Sequence, residues 1–415
     1  MDFEQLAVAP AASPVWLQDF HAASRSALVG VPWPDRKTEA WRNTSLRALT
    51  DESFDELTMT GSSDPSEYRI DDLNSRDVVF VDGQYKPELS GETPSNVNVV
   101  KLADASETEA QLIRSSLGKI LPVSQHFAQL NGSRLNDGIM LRIRGVVSQP
   151  IRIVWQSNSH GSLNHRLLVL MEPGSEATLI EHFCGIGRAF TNSVSEFELA
   201  ENSHLHHYRL HLEHEAAMHV GGCHARLSAN ASLSGFHLGT GSPLKRLDVT
   251  VNHAGAGAES RMVGAYLPKT KQRIDYHICA EHSAPHCTSE STFRGIVADE
   301  ARAVFNGRIH IHPGARETEA TLDNKNLLTS HKAQVHTKPE LEIYNDDVAC
   351  AHGATVSQLS EESLHYLRSR GLGPDAAYRM LNFAFINELL DGASEPPLAE
   401  YLRTRLQNWF EQEAP

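Results

Sequence analysis

From Gly138 to Ser357 short apolar or alternating runs follow one another, and almost none reads as a helix. They are IMLRIRGVV, IRIVW, RLLVLM, ATLIEHF, HLHHYRL, SLSGFHL, RLDVTVNH, RMVGAYL, RIDYHI, STFRGIV, AVFNGRIHI and ELEIY, with Gly, Asn, Ser or Asp between them. Strand-like runs recurring at roughly 12 to 18 residues predict an all-β core. The spacing admits a sandwich, a barrel or a solenoid. No sharp repeat stands out, which argues against a propeller and leaves a loose β-helix open.

Helical patterns flank this core. Ser13-Pro14 reads as a helix start, followed by an apolar stripe at Trp16, Phe20, Ala23 and Ala27 and a stop at Gly30. The prolines of VPWPDRKTEAW predict extended chain. DVVFVDGQY predicts a strand and an Asp82-Gly83 hairpin, while SETEAQLIRSSL and SQHFAQLN predict two short helices. After Ser360 the chain reads as helical to its end. Leu364 and Leu367 share one face. Pro374 restarts a helix with a stripe at Ala377, Leu381, Ala384, Phe385 and Leu389, and the last helix carries Leu398, Leu402, Leu406, Trp409 and Phe410. The expected division is an α/β segment over 1–136, a β core over 137–357 and a helical domain over 358–415.

The 415 residues carry a net charge of −15, which speaks against nucleic acid as a partner, because phosphate binding needs a basic footprint. No apolar run reaches the length of a membrane span, and MDFEQLAVAP lacks the basic start and apolar core of a signal peptide. Cys184, Cys223, Cys279, Cys287 and Cys350 are odd in number, irregular in spacing and form no C-x-x-C. That pattern predicts a reducing, cytoplasmic setting, with all but Cys350 buried as small apolar residues. No Walker A, dinucleotide Gly motif or G-x-S-x-G occurs.

The stretch TKPELEIYNDDVACAHGATVSQL, Thr337–Leu359, holds the candidate chemistry. Leu341 and Ile343 face one side of a strand and Glu340, Glu342 and Tyr344 the other. Asn345-Asp346-Asp347 predicts a turn. Cys350 and His352 follow two apart, so an extended segment ending at Gly353 places both on one face with Cα atoms roughly 6.5–7 Å apart. Thiolate and imidazole suit iron or zinc. Two ligands do not close a tetrahedral site, so a metal here needs further donors; without them the pair is a buried thiol and a hydrogen-bonded imidazole.

The histidines His204, His206, His207, His211, His214, His219 and His224 read as an exposed face, and His310 and His312 as surface residues before Pro313-Gly314. The carboxylates Glu340, Glu342, Asp346 and Asp347 would suit acid–base work in a polysaccharide-degrading solenoid. Against that stand the absent secretion signal and 7% aromatic content.

LEIYNDDVACAHGATVSQL followed by LHYLRSRGL closely resembles the end of the core in the SufB/SufD family of the SUF iron–sulfur cluster assembly system. IHPGARETEA, NKNLLTSHKA, VVFVDGQYKPELS, FAQLN and TEAWRNTSL extend the resemblance over most of the chain. His352-Gly353-Ala354-Thr355 stands where SufB-like chains read H-E-A-T, which favours the SufD branch. The chain departs from the family pattern at Thr321-Leu322, Thr329, His310 and His312.

The resemblance implies a right-handed parallel β-helix core between an α/β N-terminal and a helical C-terminal domain. It implies a non-catalytic subunit that pairs with SufB through the core, or with a second copy of itself in isolation. It implies that the C-terminal helices dock the SufC ATPase, with Leu364, Leu367, Leu381 and Phe385 as docking residues. It also implies that Cys350 and His352 lie at the SufB interface. There, with donors from the partner, they would meet a transient iron–sulfur cluster or iron rather than a permanent cofactor. A SufB-like scaffold would group several cysteines as ligands, whereas here Cys350 stands alone.

Overall fold

The computed structural model describes residues 3–8, 13–51, 58–59, 64–122, 124–135, 138–391 and 395–412. Successive strands of the core are dealt alternately to two sheets, and within each sheet neighbouring core strands run parallel and in register. The first sheet runs from Ile139–Ile143 through Ser162–Met171, Phe190–Leu199, Met218–Leu227, Lys245–His253, Arg273–His282 and Arg302–Ile311 to Gln334–Ile343. The second runs from Ile151–Gln156 through Glu176–Cys184, His204–His211, Ser232–Thr240, Glu259–Leu267, Thr288–Val297 and Thr318–Leu328 to Val348–Ser357. The solenoid, one of the three architectures that the strand spacing admits, is the one the chain adopts.

A repeat exists, but it lies in the backbone at one corner. Gly174, Asn202, Asn230, Gly257, His286 and Glu317 all have positive φ, between 52° and 71°. Each donates its amide to a carbonyl of the next turn, as Asn202 does to Ala229 at 3.0 Å and Asn230 to Ala256 at 3.0 Å. The next residue along is always small and fully buried: Ser175, Ser203, Ala231, Ala258, Cys287 and Thr318. A left-handed residue turns the corner and a small one lets the turns stack. The residue types at the corner vary too much to form a visible motif.

Two segments extend the sheets upstream. Arg76–Val81 pairs parallel to Ile151–Gln156, and Val97–Lys101 pairs antiparallel to Ile139–Ile143. Arg76–Val81 also forms the expected hairpin with Gln84–Tyr85 through Asp82 and Gly83, both at positive φ. The expected helices are Glu107–Ser116, closed by a capping box of Ser106 and Glu109, and His126–Arg134. The expected boundary at 136/137 lies outside the described residues.

In the helix Val15–Ser26 the cap is Pro14, not Ser13, and the buried face is Trp16, Leu17, His21 and Ser24. Ala23 and Ala27 are exposed, contrary to the apolar stripe. His21 turns inward because its Nε2 reaches the Leu135 carbonyl at 2.9 Å.

The C-terminal helices Glu361–Ser369, Pro374–Asn387 and Pro396–Gln412 follow the sheets. Leu398, Leu402, Leu406 and Phe410 cover Tyr208, Leu210, Phe236, Leu238 and Val263 on the outer face of the second sheet. In Pro374–Asn387 the buried positions are Ala377, Asn382 and Ile386. Leu381 and Phe385 are half-buried at the flank and Ala384 is exposed, so the apolar stripe is rotated from the expected one. No described helix is long and apolar enough to cross a membrane.

Candidate functional site

Both sheets end at the same place. Gln334–Ile343 is the last strand of the first sheet and Val348–Ser357 the last of the second, and no strand among the described residues pairs with their outer edges. The turn Asn345–Asp347 joins them, held by the Asp347 amide on Asn345 Oδ1 at 3.0 Å and by the Glu317 amide on the Asp347 carbonyl at 2.7 Å. Pro339 lies in the first of the two strands, a position that suits an edge because proline has no amide to donate.

Cys350 stands opposite Ala320 and His352 opposite Leu322. Two apart on one strand, they project from one face, as the sequence implies. Cys350 packs against the end of the main core and is half-buried, while His352 is exposed. Burial pushes the Cys350 thiol up, partly offset by a hydrogen bond involving the Ala320 backbone. Gly353 does not break the strand, which runs on to Ser357; a Cβ there would come no closer than 3.6 Å, to Asp323. The two end strands also expose apolar surface at Leu341, Ile343, Tyr344 and Val356. Leu364 and Leu367, on the next helix, are half-buried.

Two of the four carboxylates of the enzyme alternative, Glu340 and Glu342, are engaged. Glu340 accepts from Asn306 at 2.8 Å and pairs with Lys338 at 2.5 Å, and Glu342 accepts from Arg308 at 3.3 Å. Carboxylates tied to neighbours in this way are poorly placed for acid–base exchange with a substrate.

The histidine run is not the exposed face that its composition implies. His204 is exposed, but His207, His211, His219 and His224 are buried. Alternation on His204–His211 sends Leu205, His207, Arg209 and His211 into the solenoid and leaves His204 and His206 outside. Inside, Arg209 donates to Glu181 at 2.6 Å and to Ser195 and Ser193 at 2.9 and 2.8 Å. His207 Nε2 lies 3.0 Å from the same carboxylate. Ser193 is 2.6 Å from His219 Nε2, His219 Nδ1 is 2.5 Å from Glu213, and Lys245 reaches Glu213 at 2.8 Å. Two buried cations thus meet two buried carboxylates. Burial alone would raise the Glu181 carboxyl, but Arg209 and His207 outweigh it and hold it well below the usual range. Burial pushes His165 down to about 3 and His224 to about 4, so both stay neutral at physiological pH.

Cys184, Cys223 and Cys287 are buried as expected; Cys279 is half-buried, with the Arg308 Nε donating to its sulfur at 3.4 Å. Cys279 lines an open groove of about 700 Å³ on the outer face of the first sheet, shared with Trp41, Phe127, Arg246, Asp248 and His277. The groove was not legible from the residues, because it brings together segments some two hundred positions apart.

A family model described as SUF system FeS cluster assembly, SufBD core domain, matches residues 154–385, over half of the chain. The chain belongs to the SufBD family of iron–sulfur cluster assembly proteins. It is 30% identical to the iron–sulfur cluster assembly protein SufD of Escherichia coli, over 90% of this chain and 88% of that protein. It is 27% identical to a SufBD family protein of Synechocystis, over 90% and 86% of the two chains. It is also 27% identical to the chloroplastic protein ABCI7 of Arabidopsis thaliana, over 94% and 85%. The resemblance read from the sequence holds. The SufBD match takes in Cys350 and His352, the last strands of both sheets and most of the helix Pro374–Asn387.

Proposed function

We propose that this chain is a SufD-like, non-catalytic subunit whose open end pairs with a SufB-like partner. The observation that carries the reading is the joint ending of both sheets in strands whose outer edges no described strand pairs with, one of which bears Cys350 and His352. An exposed strand edge offers a row of amides and carbonyls to another chain, and the apolar side chains around it add area to such a contact. Pairing there surrounds Cys350 and His352 with partner side chains. A thiol and an imidazole from this chain then supply part of a ligand set that the partner completes. The cluster, or iron on its way to it, is cargo at this site, not a resident group. Binding of iron by Cys350 would displace the thiol proton to water or a nearby base, and so would offset the burial that holds the thiol protonated.

The C-terminal helices dock a SufC-like ATPase in this reading. Leu364, Leu367, Leu381 and Phe385 are half-buried rather than sealed into the core, and so keep area for a partner. ATP-driven movement of that partner would open and close the cluster site. All five cysteines are free, which supports a reducing compartment, the cytoplasm.

The test is cluster formation in the complex co-expressed with its SufB-like and SufC-like neighbours. His352→Ala is expected to lower iron and sulfide per complex at least several-fold while the subunits still co-purify. Cluster yield equal to that of the unaltered complex would sink the role of His352.

A further inference from the structure

A second group of ligand-type side chains lies on the other sheet. Glu281, His310 and Glu342 are register partners on three adjacent parallel strands, so they form one row across the sheet. His312 follows two residues after His310 and continues the ladder, its amide bonded to the His282 carbonyl at 2.9 Å. Both imidazoles therefore leave the same face, with ring centroids 4.1 Å apart. His310 is more enclosed than the surface residue that the sequence implies, 17% exposed between the two flanking strands, while His312 is half-buried.

The spacings leave room for an ion. His310 Nδ1 is 3.7 Å from Glu281 and Nε2 is 3.9 Å from Glu342, both too long for hydrogen bonds. Donor atoms of Glu281, His310 and His312 lie within 4.8 Å of one another. Bonds of about 2.0–2.2 Å to a common ion put ligand atoms roughly 3.4 Å apart, a small rotamer adjustment away. Arg308 approaches both carboxylates, at 3.7 and 3.3 Å, and leaves one of their two charges uncompensated. The buried group His211, Glu213 and His219 has similar spacing, but there the Lys245 ammonium already sits 2.8 Å from Glu213 and fills the cation's place.

We propose that Glu281, His310 and His312 bind a divalent transition metal ion of the zinc, cobalt or ferrous type. Two imidazoles and a carboxylate are the donor set such borderline ions favour over calcium or magnesium. The site uses only this chain, so it does not depend on pairing with a partner.

Cobalt(II) reports the site directly, through visible absorption that depends on its ligands. The untagged full-length chain, titrated with Co²⁺ and checked by equilibrium dialysis, should show one saturable site. His310→Ala and His312→Ala should each weaken it on the order of tenfold or more, since even loss of an outer-shell contact costs a metal site that much. Glu281→Gln guards against misfolding, because it keeps shape and should weaken binding with an unchanged circular dichroism spectrum. His204→Ala, an exposed histidine on the second sheet, should leave binding intact. No saturable site, or equal affinity in the wild type, His310→Ala, His312→Ala and Glu281→Gln, would overturn the proposal.

Discussion

Arg209 shows how far a single side chain can sit from what its sequence position suggests. It lies in a run dense with histidines that reads as a solvated strand face, yet it is 1% exposed, ion-paired to Glu181 inside the solenoid. Burying two charges costs several kcal/mol each, and their attraction repays that only with good geometry and satisfied hydrogen bonds. Here Ser193, Ser195 and His207 supply those bonds. Removing one partner leaves the other charged and dry. Glu181→Leu is therefore expected to cost about 3–5 kcal/mol in chemical unfolding, and the double variant Glu181→Leu with Arg209→Met to recover most of that loss. A single-variant cost under about 1 kcal/mol would mean that water reaches the pair. The placement of Cys350 and His352 on one strand face, by contrast, was legible from their spacing and extended setting. The buried network was not, because alternation tells which residues share a face but not which face is inside.

At the scale of elements, most core strands were readable, but Phe190–Leu199, Met218–Leu227 and Thr318–Leu328 fall outside the apolar runs, and strand pairing was not readable. The apolar runs from IMLRIRGVV to ELEIY coincide with strands, because each carries a half-buried pattern. What stacks them is the corner of left-handed residue plus small residue, recurring at Gly174-Ser175, Asn202-Ser203, Asn230-Ala231 and Gly257-Ala258. Its two positions admit Gly, Asn, His or Glu and then Ser, Ala, Cys or Thr, so no motif stands out by eye. The helix faces shifted for a related reason. His21 and Asn382 take buried positions that an apolar stripe assigns to carbon side chains. Ala258 is fully buried where one turn stacks on the next. Ala258→Leu should therefore cost about 1–3 kcal/mol by overpacking, seen as a lowered midpoint in thermal unfolding. A neutral result there would show that the corner has slack and that the small residues are incidental.

At the scale of the molecule, the two ends of the solenoid differ. At the start, Val97–Lys101 runs antiparallel against the first core strand, and Gln84–Tyr85 turns back on Arg76–Val81. At the finish neither sheet has such a cover among the described residues, and Leu341, Ile343 and Tyr344 are exposed there. Solenoids need polar or covered terminal repeats to stay apart, so an uncapped end with apolar residues calls for a partner. The family places the chain in iron–sulfur cluster assembly, and the open end is where the proposed pairing puts that role. The most direct test is the native mass of the chain co-expressed with its SufB-like and SufC-like neighbours. The account predicts one stable assembly containing all three chains, with the amides of Gln334–Ile343 and Val348–Ser357 protected from hydrogen exchange relative to the isolated chain. A chain that remains alone at micromolar concentration, its end strands exchanging freely, would contradict it.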